Sequence, residues 1–230
     1  SIPHFKIRYP LVFTSNPDSD LKKFRYPSEI VENFLWLGNI QQARDDVLLD
    51  SLGITHIVAA VKSKDNRFSD KIRYFNVEIT DDESEDVSHF FRPVNDFIEH
   101  AFGENGRVLV HCQAGISRSA SLVIAFVQEH FGWTLRQAYK YVIARRPEIH
   151  PNRSFMEQLI SHEAEESTHN RSTLLLSDLG CNGGLIEERY LSSARSSRQT
   201  SRAASVTSVS NDRSLSSEPV YCKMFSCVVM

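Results

Sequence analysis

The stretch VLVHCQAGISRSASLVIAF, residues 108–126, constrains the chain more than any other. VLVH is short and apolar without alternation, the pattern of a buried strand. LVIAFV, residues 122–127, is apolar all round, the pattern of a helix at the centre of a domain. Between them lie Cys112, the loop Gln113-Ala114-Gly115-Ile116-Ser117, and Arg118. A buried strand that turns within a few residues into a buried helix requires a sheet layered with helices.

The flanking sequence fits that demand. Apolar patterning is dense from about residue 24 to about residue 166. EIVENFLWLG reads as two short strands around a tight turn at Glu32-Asn33, and ARDDVLLDSLG as a short helix closed by Gly53. ITHIVAAV (54–61) and IRYFNVEI (72–79) read as strands. Phe90, Val94, Phe97, Ile98 and Ala101 recur at helical spacing, with Pro93 tolerated only near the helix start. Gly132 ends the central helix. Thr134 and Gln137 then form a capping box ahead of the stripe Leu135, Ala138, Tyr139, Val142, Ile143. A last helix is predicted over roughly 153–165. The fold class expected is α/β, a central mixed five-stranded sheet flanked by helices.

Composition removes several function classes. The net charge of −3 gives no global basic field for nucleic acid. No apolar run of ~18 residues is present to span a bilayer. SIPHFKIRYP lacks the layout of a secretory signal. The four cysteines, Cys112, Cys181, Cys222 and Cys227, make neither a disulfide framework nor a zinc spacing. A reducing, cytoplasmic setting, no metal and a monomer are therefore expected. Beyond residue 167 the pattern is lost. Eleven of the 26 residues 192–217 are serine, interspersed with Arg195, Arg198, Arg202 and Arg213. Residues 1–23 thus read as an extension, 24–166 as the folded domain and 167–230 as a mostly disordered tail, in which LLLSDLG (174–180) stands out as a segment able to dock, with no docking place given by the pattern. That tail ends in CVVM, a C-a-a-X pattern that would prenylate Cys227, with Cys222 as a second lipidation site and peripheral membrane contact as the consequence.

Taken singly, Cys112 reads as a small buried hydrophobe and Arg118 as a solvated charge. Together they bracket a loop at a helix N-terminus, where backbone N–H groups converge on an anion. Arg118 adds a planar fork matched to phosphate oxygens. Gly115 allows the curl. The same positive setting lowers the thiol, so a Cys112 thiolate would lie in line with a bound phosphorus. A proton must also reach the leaving oxygen, and the acidic loop TDDESED is the candidate donor.

The pattern HCxxGxxRS, spelled by His111 through Ser119, resembles the signature of the cysteine-dependent protein tyrosine phosphatase superfamily. The longer VLVHCQAGISRSASLVIAF is similar to its dual-specificity branch. The similarity runs over about residues 27–163, through LWLG, GITHIV, AYKYVIARRPEIHPN and FMEQL. The chain is also similar to the serine/threonine/tyrosine-interacting pseudophosphatase subgroup, which lacks the nucleophile that Cys112 supplies here. The resemblance implies a phosphatase-like α/β sandwich and a catalytic domain without a cofactor. It places the acid roughly thirty residues before the cysteine. Asp81 stands 31 before it, with Asp82 as the alternative. It implies that Ser119 bonds the thiolate, that His111 braces the loop and that Asn152 bonds into it. Neutral Gln113, Ala114, Ile116 and Ser117 favour phosphoproteins over phosphoinositides. A short domain implies a shallow pocket open to phosphotyrosine, phosphoserine and phosphothreonine. KIRYPLVF (6–13) loosely resembles a kinase docking motif, which makes protein kinases candidate partners. The competing reading is a scaffold that holds phosphorylated partners with little or no turnover.

Overall fold

The computed structural model describes residues 26–166 and 172–180. Strands β1 (Ser28–Val31) and β2 (Leu35–Asn39) form the opening hairpin. Its turn places Asn33 at φ 57°, and Phe34 N–H bonds Val31 O at 3.1 Å to close it. Two short helices follow, α1 (Ile40–Ala43) and α2 (Asp46–Leu52). Asp45 caps α2 and Gly53 ends it in the left-handed region, at φ 64°. Strands β3 (His56–Ala59) and β4 (Arg73–Asn76) lead to α3 (Phe91–Gly103), where Pro93 occupies the first turn and forfeits no hydrogen bond. Then come β5 (Val108–Cys112), α4 (Arg118–Phe131), α5 (Leu135–Arg145) and α6 (Arg153–Glu166). The Thr134–Gln137 capping box starts α5 as predicted.

The sheet order is β1-β2-β5-β3-β4. Only β1 is antiparallel, so the sheet is mixed and five-stranded, as its α/β pattern implied. Strands β3 and β4 are shorter than the predicted 54–61 and 72–79. Their ladder closes at Ala59 and Asn76, and the chain leaves the sheet edge there toward the acidic loop.

The period-two alternation divides the apolar residues between the faces. Leu35, Leu37, Val108, Val110 and Cys112 face the larger core beneath α3 to α6. Trp36, Ile57 and Leu109 face a smaller core with Ile40, Leu48, Leu49 and Leu52 of α1 and α2. Strand β5 is therefore covered on both sides and paired on both edges. Its C-terminal end, where the chain switches between neighbours, is where an open parallel sheet presents a crevice.

Residues 172–180, which the sequence pattern placed in the tail, lie against α5 and α6. Leu174 is fully buried in the larger core. The Glu163 carboxylate of α6 accepts from Leu135 N–H at 2.6 Å, Ser172 Oγ at 2.6 Å and Thr173 N–H at 2.7 Å. Burial pushes the Glu163 carboxyl up, but these hydrogen bonds outweigh it and hold the group below its usual range. Arg136 adds a bond to Thr173 O at 2.8 Å and an ion pair with Asp178. Among the described residues, no helix is long and apolar enough to cross a membrane.

Candidate active site

Cys112 ends β5 and is 1 % exposed. Residues 113–117 curl from it into α4. Each carbonyl of the curl is drawn outward. Gln113 O accepts from Ile40 N–H at 3.3 Å and Ile116 O from His150 N–H at 2.9 Å. Gly115 O accepts from Arg146 Nε at 2.7 Å, and Ala114 O from Arg146 Nη2 at 3.3 Å. Ser117 O accepts from Ser121 N–H and Oγ in the first turn of α4. With its carbonyls turned out, the loop turns its N–H groups in, a concavity that favours an anion. Gly115 makes the curl possible at φ 73°, with its Cα packed against the Gly38 carbonyl.

The Cys112 sulfur sits at the floor of this concavity. Sγ accepts from Gly115 N–H and from Ser119 Oγ, each at 3.2 Å. Burial alone pushes the thiol up. The Ser119 hydroxyl and the N–H groups of Ser119, Ile116 and Gly115 together outweigh burial, so the thiol lies below its ordinary value. His111 is brought to the same place, with Nδ1 3.3 Å from Cys112 O. Burial drives its imidazole down to about 4, so it is neutral at physiological pH.

Ser119→Ala removes a donor to the thiolate, so the midpoint for alkylation of Cys112 should move to higher pH. Mass spectrometry of the Cys112 peptide after timed iodoacetamide treatment across pH would read the shift. An unchanged midpoint would show that the backbone donors suffice.

Arg118 begins α4 with its side chain 12 % exposed. Its Nη1 donates to Ile79 O at 3.3 Å. Its Nε is buried without a hydrogen-bond partner, 3.8 Å from Asp81 Oδ2, an open donor at the rim of the concavity. The acidic loop crosses above. Asp81 Oδ1 accepts from Ser117 Oγ at 2.6 Å and from Asn152 Nδ2 at 3.1 Å. Asp82 turns back on its own loop, accepting from Ser84 N–H and Oγ. Of the five acids in TDDESED, Asp81 is thus the one with hydrogen bonds to the phosphate-type loop. Asn152 also caps α6, accepting from Phe155 N–H at 2.9 Å.

Arg146 belongs to this site and was missed from the sequence. Its neighbour Arg145 lies on the surface over the Tyr141 ring. Arg146 is 6 % exposed and spans Ala114 O, Gly115 O and Ser28 Oγ. The signal was present, because Tyr139, Val142 and Arg146 share one helical face whose first two members are apolar and buried. No group of three or more metal-ligating side chains occurs among the described residues. KIRYPLVF, Cys222 and Cys227 lie outside the described residues.

A family model described as "Dual specificity phosphatase, catalytic domain" matches residues 35–165, more than half of the chain. The chain is 37 % identical over 155 residues to the human dual specificity protein phosphatase 21, covering 67 % of this chain and 82 % of that protein. It is 39 % identical over 140 residues to MAP kinase phosphatase with leucine-rich repeats protein 3 of Dictyostelium discoideum, where the match spans 60 % of this chain but 16 % of that larger protein. Among solved structures, the human tyrosine phosphatase-like serine/threonine/tyrosine-interacting protein superposes with a TM-score of 0.56 at 36 % identity, over 62 % of this chain and 98 % of that one. The family match covers strands β2 to β5, the loop after β5 and the helices that hold it, and on these grounds the chain belongs to the dual specificity phosphatase family, with residues 35–165 as the protein phosphatase catalytic domain.

Proposed function

We propose that the chain hydrolyses phosphotyrosine, phosphoserine and phosphothreonine in phosphorylated proteins through a cysteinyl-phosphate intermediate. The observation that carries the reading is the stacking of three groups on one curl. The Cys112 sulfur lies beneath it, Arg118 Nε stands open at its rim and Asp81 crosses above it. A phosphate dianion seated on the inward N–H groups meets a thiolate below and a proton donor above.

In the first step the S–P bond forms as the P–O bond to the side-chain oxygen breaks, and Asp81 protonates that oxygen. In the second, Asp81 takes a proton from water as water attacks phosphorus, and the P–S bond breaks. Ser119 then stabilises the departing thiolate. The backbone N–H groups of the loop and the Arg118 guanidinium hold the equatorial oxygens throughout. His111 and Arg146 keep the loop in shape.

The direct test is phosphate release, in EDTA, from matched peptides carrying phosphotyrosine or phosphothreonine, with a phosphoinositide for comparison. Release from both peptides and none from the lipid is expected. A scaffold reading has the likeness to the tyrosine phosphatase-like interacting protein in its favour, and tight peptide binding without release would establish it. Kinase partners rest on KIRYPLVF and membrane contact in the cytoplasm on CVVM, as sequence patterns alone.

A further inference from the structure

We infer that Ser117 and Asn152 form a two-donor clamp that positions the acid and assigns its two oxygens different tasks. The inference rests on the phosphatase reading above and names two positioning residues for it. The clamp is a closed ring of hydrogen bonds between three segments distant in sequence. Ser117 Oγ donates to Asp81 Oδ1 at 2.6 Å. Asn152 Nδ2 donates to the same Oδ1 at 3.1 Å. Ser117 Oγ in turn accepts from Asn152 N–H at 3.0 Å. The ring has a fixed polarity. The Ser117 hydroxyl has one proton, and the Asn152 N–H occupies its acceptor side, so that proton is directed at Asp81. The Asn152 amide is oriented by its other end, because Oδ1 accepts from Phe155 N–H at 2.9 Å.

Oδ1 is therefore the held oxygen, and Oδ2 is the working one. Oδ2 carries no hydrogen bond from the clamp and lies 3.8 Å from Arg118 Nε. In the first half-reaction the Oδ2–H bond breaks as the leaving oxygen takes the proton, and the negative charge that appears on the carboxylate is spread onto the two donors at Oδ1. In the second, water returns a proton to Oδ2. Ser117 is 5 % exposed, so water competes poorly for this bond. The clamp is strongest when the carboxylate is charged, and so it acts in the transition state of proton release more than in the ground state. The same ring ties the acidic loop to the phosphate loop. Placement of the acid and placement of the phosphate are thereby one event.

The experiment compares kcat for aryl phosphates of graded leaving group, from 2,4-dinitrophenyl to phenyl phosphate, in wild type, Ser117→Ala and Asn152→Ser. Asn152→Ser keeps an oxygen able to cap α6 and removes the amide donor to Asp81 without setting a second carboxylate beside it. Each variant should lose about three- to tenfold on phenyl phosphate, the worth of one hydrogen bond, and under about twofold on 2,4-dinitrophenyl phosphate, whose leaving oxygen needs no proton. In an Asp81→Asn background the same substitutions should have no further effect on either substrate. An equal loss across all leaving groups, or an undiminished loss in the Asp81→Asn background, would overturn the clamp and leave Ser117 and Asn152 as supports of the loop. Wild-type protein that turns over none of the esters would instead overturn the phosphatase reading itself.

Discussion

Cys112→Ser should abolish turnover while leaving the site able to hold a phosphopeptide. The substitution is close to isosteric, and the donors from Gly115 N–H and Ser119 Oγ remain to meet the hydroxyl at the floor of the loop. What is lost is the thiolate. A serine hydroxyl has none of the nucleophilicity that the loop confers on sulfur, and the side chain bonded to it, Ser119, is no base. His111, the nearest imidazole, turns Nδ1 to the Cys112 carbonyl. The fall in kcat should reach about 10⁴-fold or more, the scale at which removal of a covalent nucleophile exhausts the catalytic ensemble. Asp81→Ala should cost less, about 10²-fold on esters with poor leaving groups, because the intermediate still forms without help from a general acid. Stopped assays with an aryl phosphate and fluorescence titration with a labelled phosphopeptide would measure the two halves. Equal turnover by wild type and Cys112→Ser would show that sulfur is not the nucleophile, whatever the binding.

The second large effect belongs to a residue with no chemistry of its own. Gly115→Ala should reduce activity by at least about 100-fold and lower the melting temperature by about 5–10 °C. At φ 73° an alanine is already disfavoured by about 1–2 kcal/mol. Its Cβ would stand 2.5 Å from the Gly38 carbonyl oxygen and 2.7 Å from Arg146 Nη2. The arginine terminus could shift, but the Gly38 carbonyl belongs to β2, which is paired to β5 and cannot withdraw. The loop must move instead, and a displacement of about 1 Å in a reacting group is enough for the predicted loss in rate. With each kcal/mol worth about 2–4 °C in a domain of this size, a combined cost of about 2–4 kcal/mol gives the predicted shift. Gly132→Ala is the control. Gly132 also has a positive φ, of 61°, but nothing lies within 4 Å of its Cβ position. Its activity should be unchanged and its melting shift should be smaller. Equal shifts for the two variants would mean that backbone conformation, not the approach of Gly38, governs position 115.

Much of the fold was legible because its causes are local. The strands β2, β3 and β5, the helix closed by Gly132, the cap at Thr134 and the placing of Pro93 all follow from apolar period, caps and breakers within a few residues. The adjacency of Cys112, Gly115, Arg118 and Ser119 was legible for the same reason, since one short loop bends them around one point. Where LLLSDLG docks was not. The segment carries its own apolar residues, but Leu174 is buried where Glu163 and Arg136, in two helices elsewhere in the chain, hold the adjacent Thr173.

By itself the sequence determined the chemistry at the loop: a thiol at the end of a buried strand, a fork of donors at the start of a buried helix, and the family to which that spacing belongs. The tertiary structure decided which carboxylate reaches the loop. Asp81 and Asp82 are adjacent and alike, the family spacing favours Asp81, and it is Asp81 that bonds Ser117 and Asn152 while Asp82 bonds Ser84. It also decided that Arg146 is internal while Arg145 is not. Both distinctions turn on the rotation of a helix or the path of a loop relative to a strand tens of residues away. Local pattern sets which residues can form an element, but burial and hydrogen bonding across elements fix which of two equivalent side chains points inward.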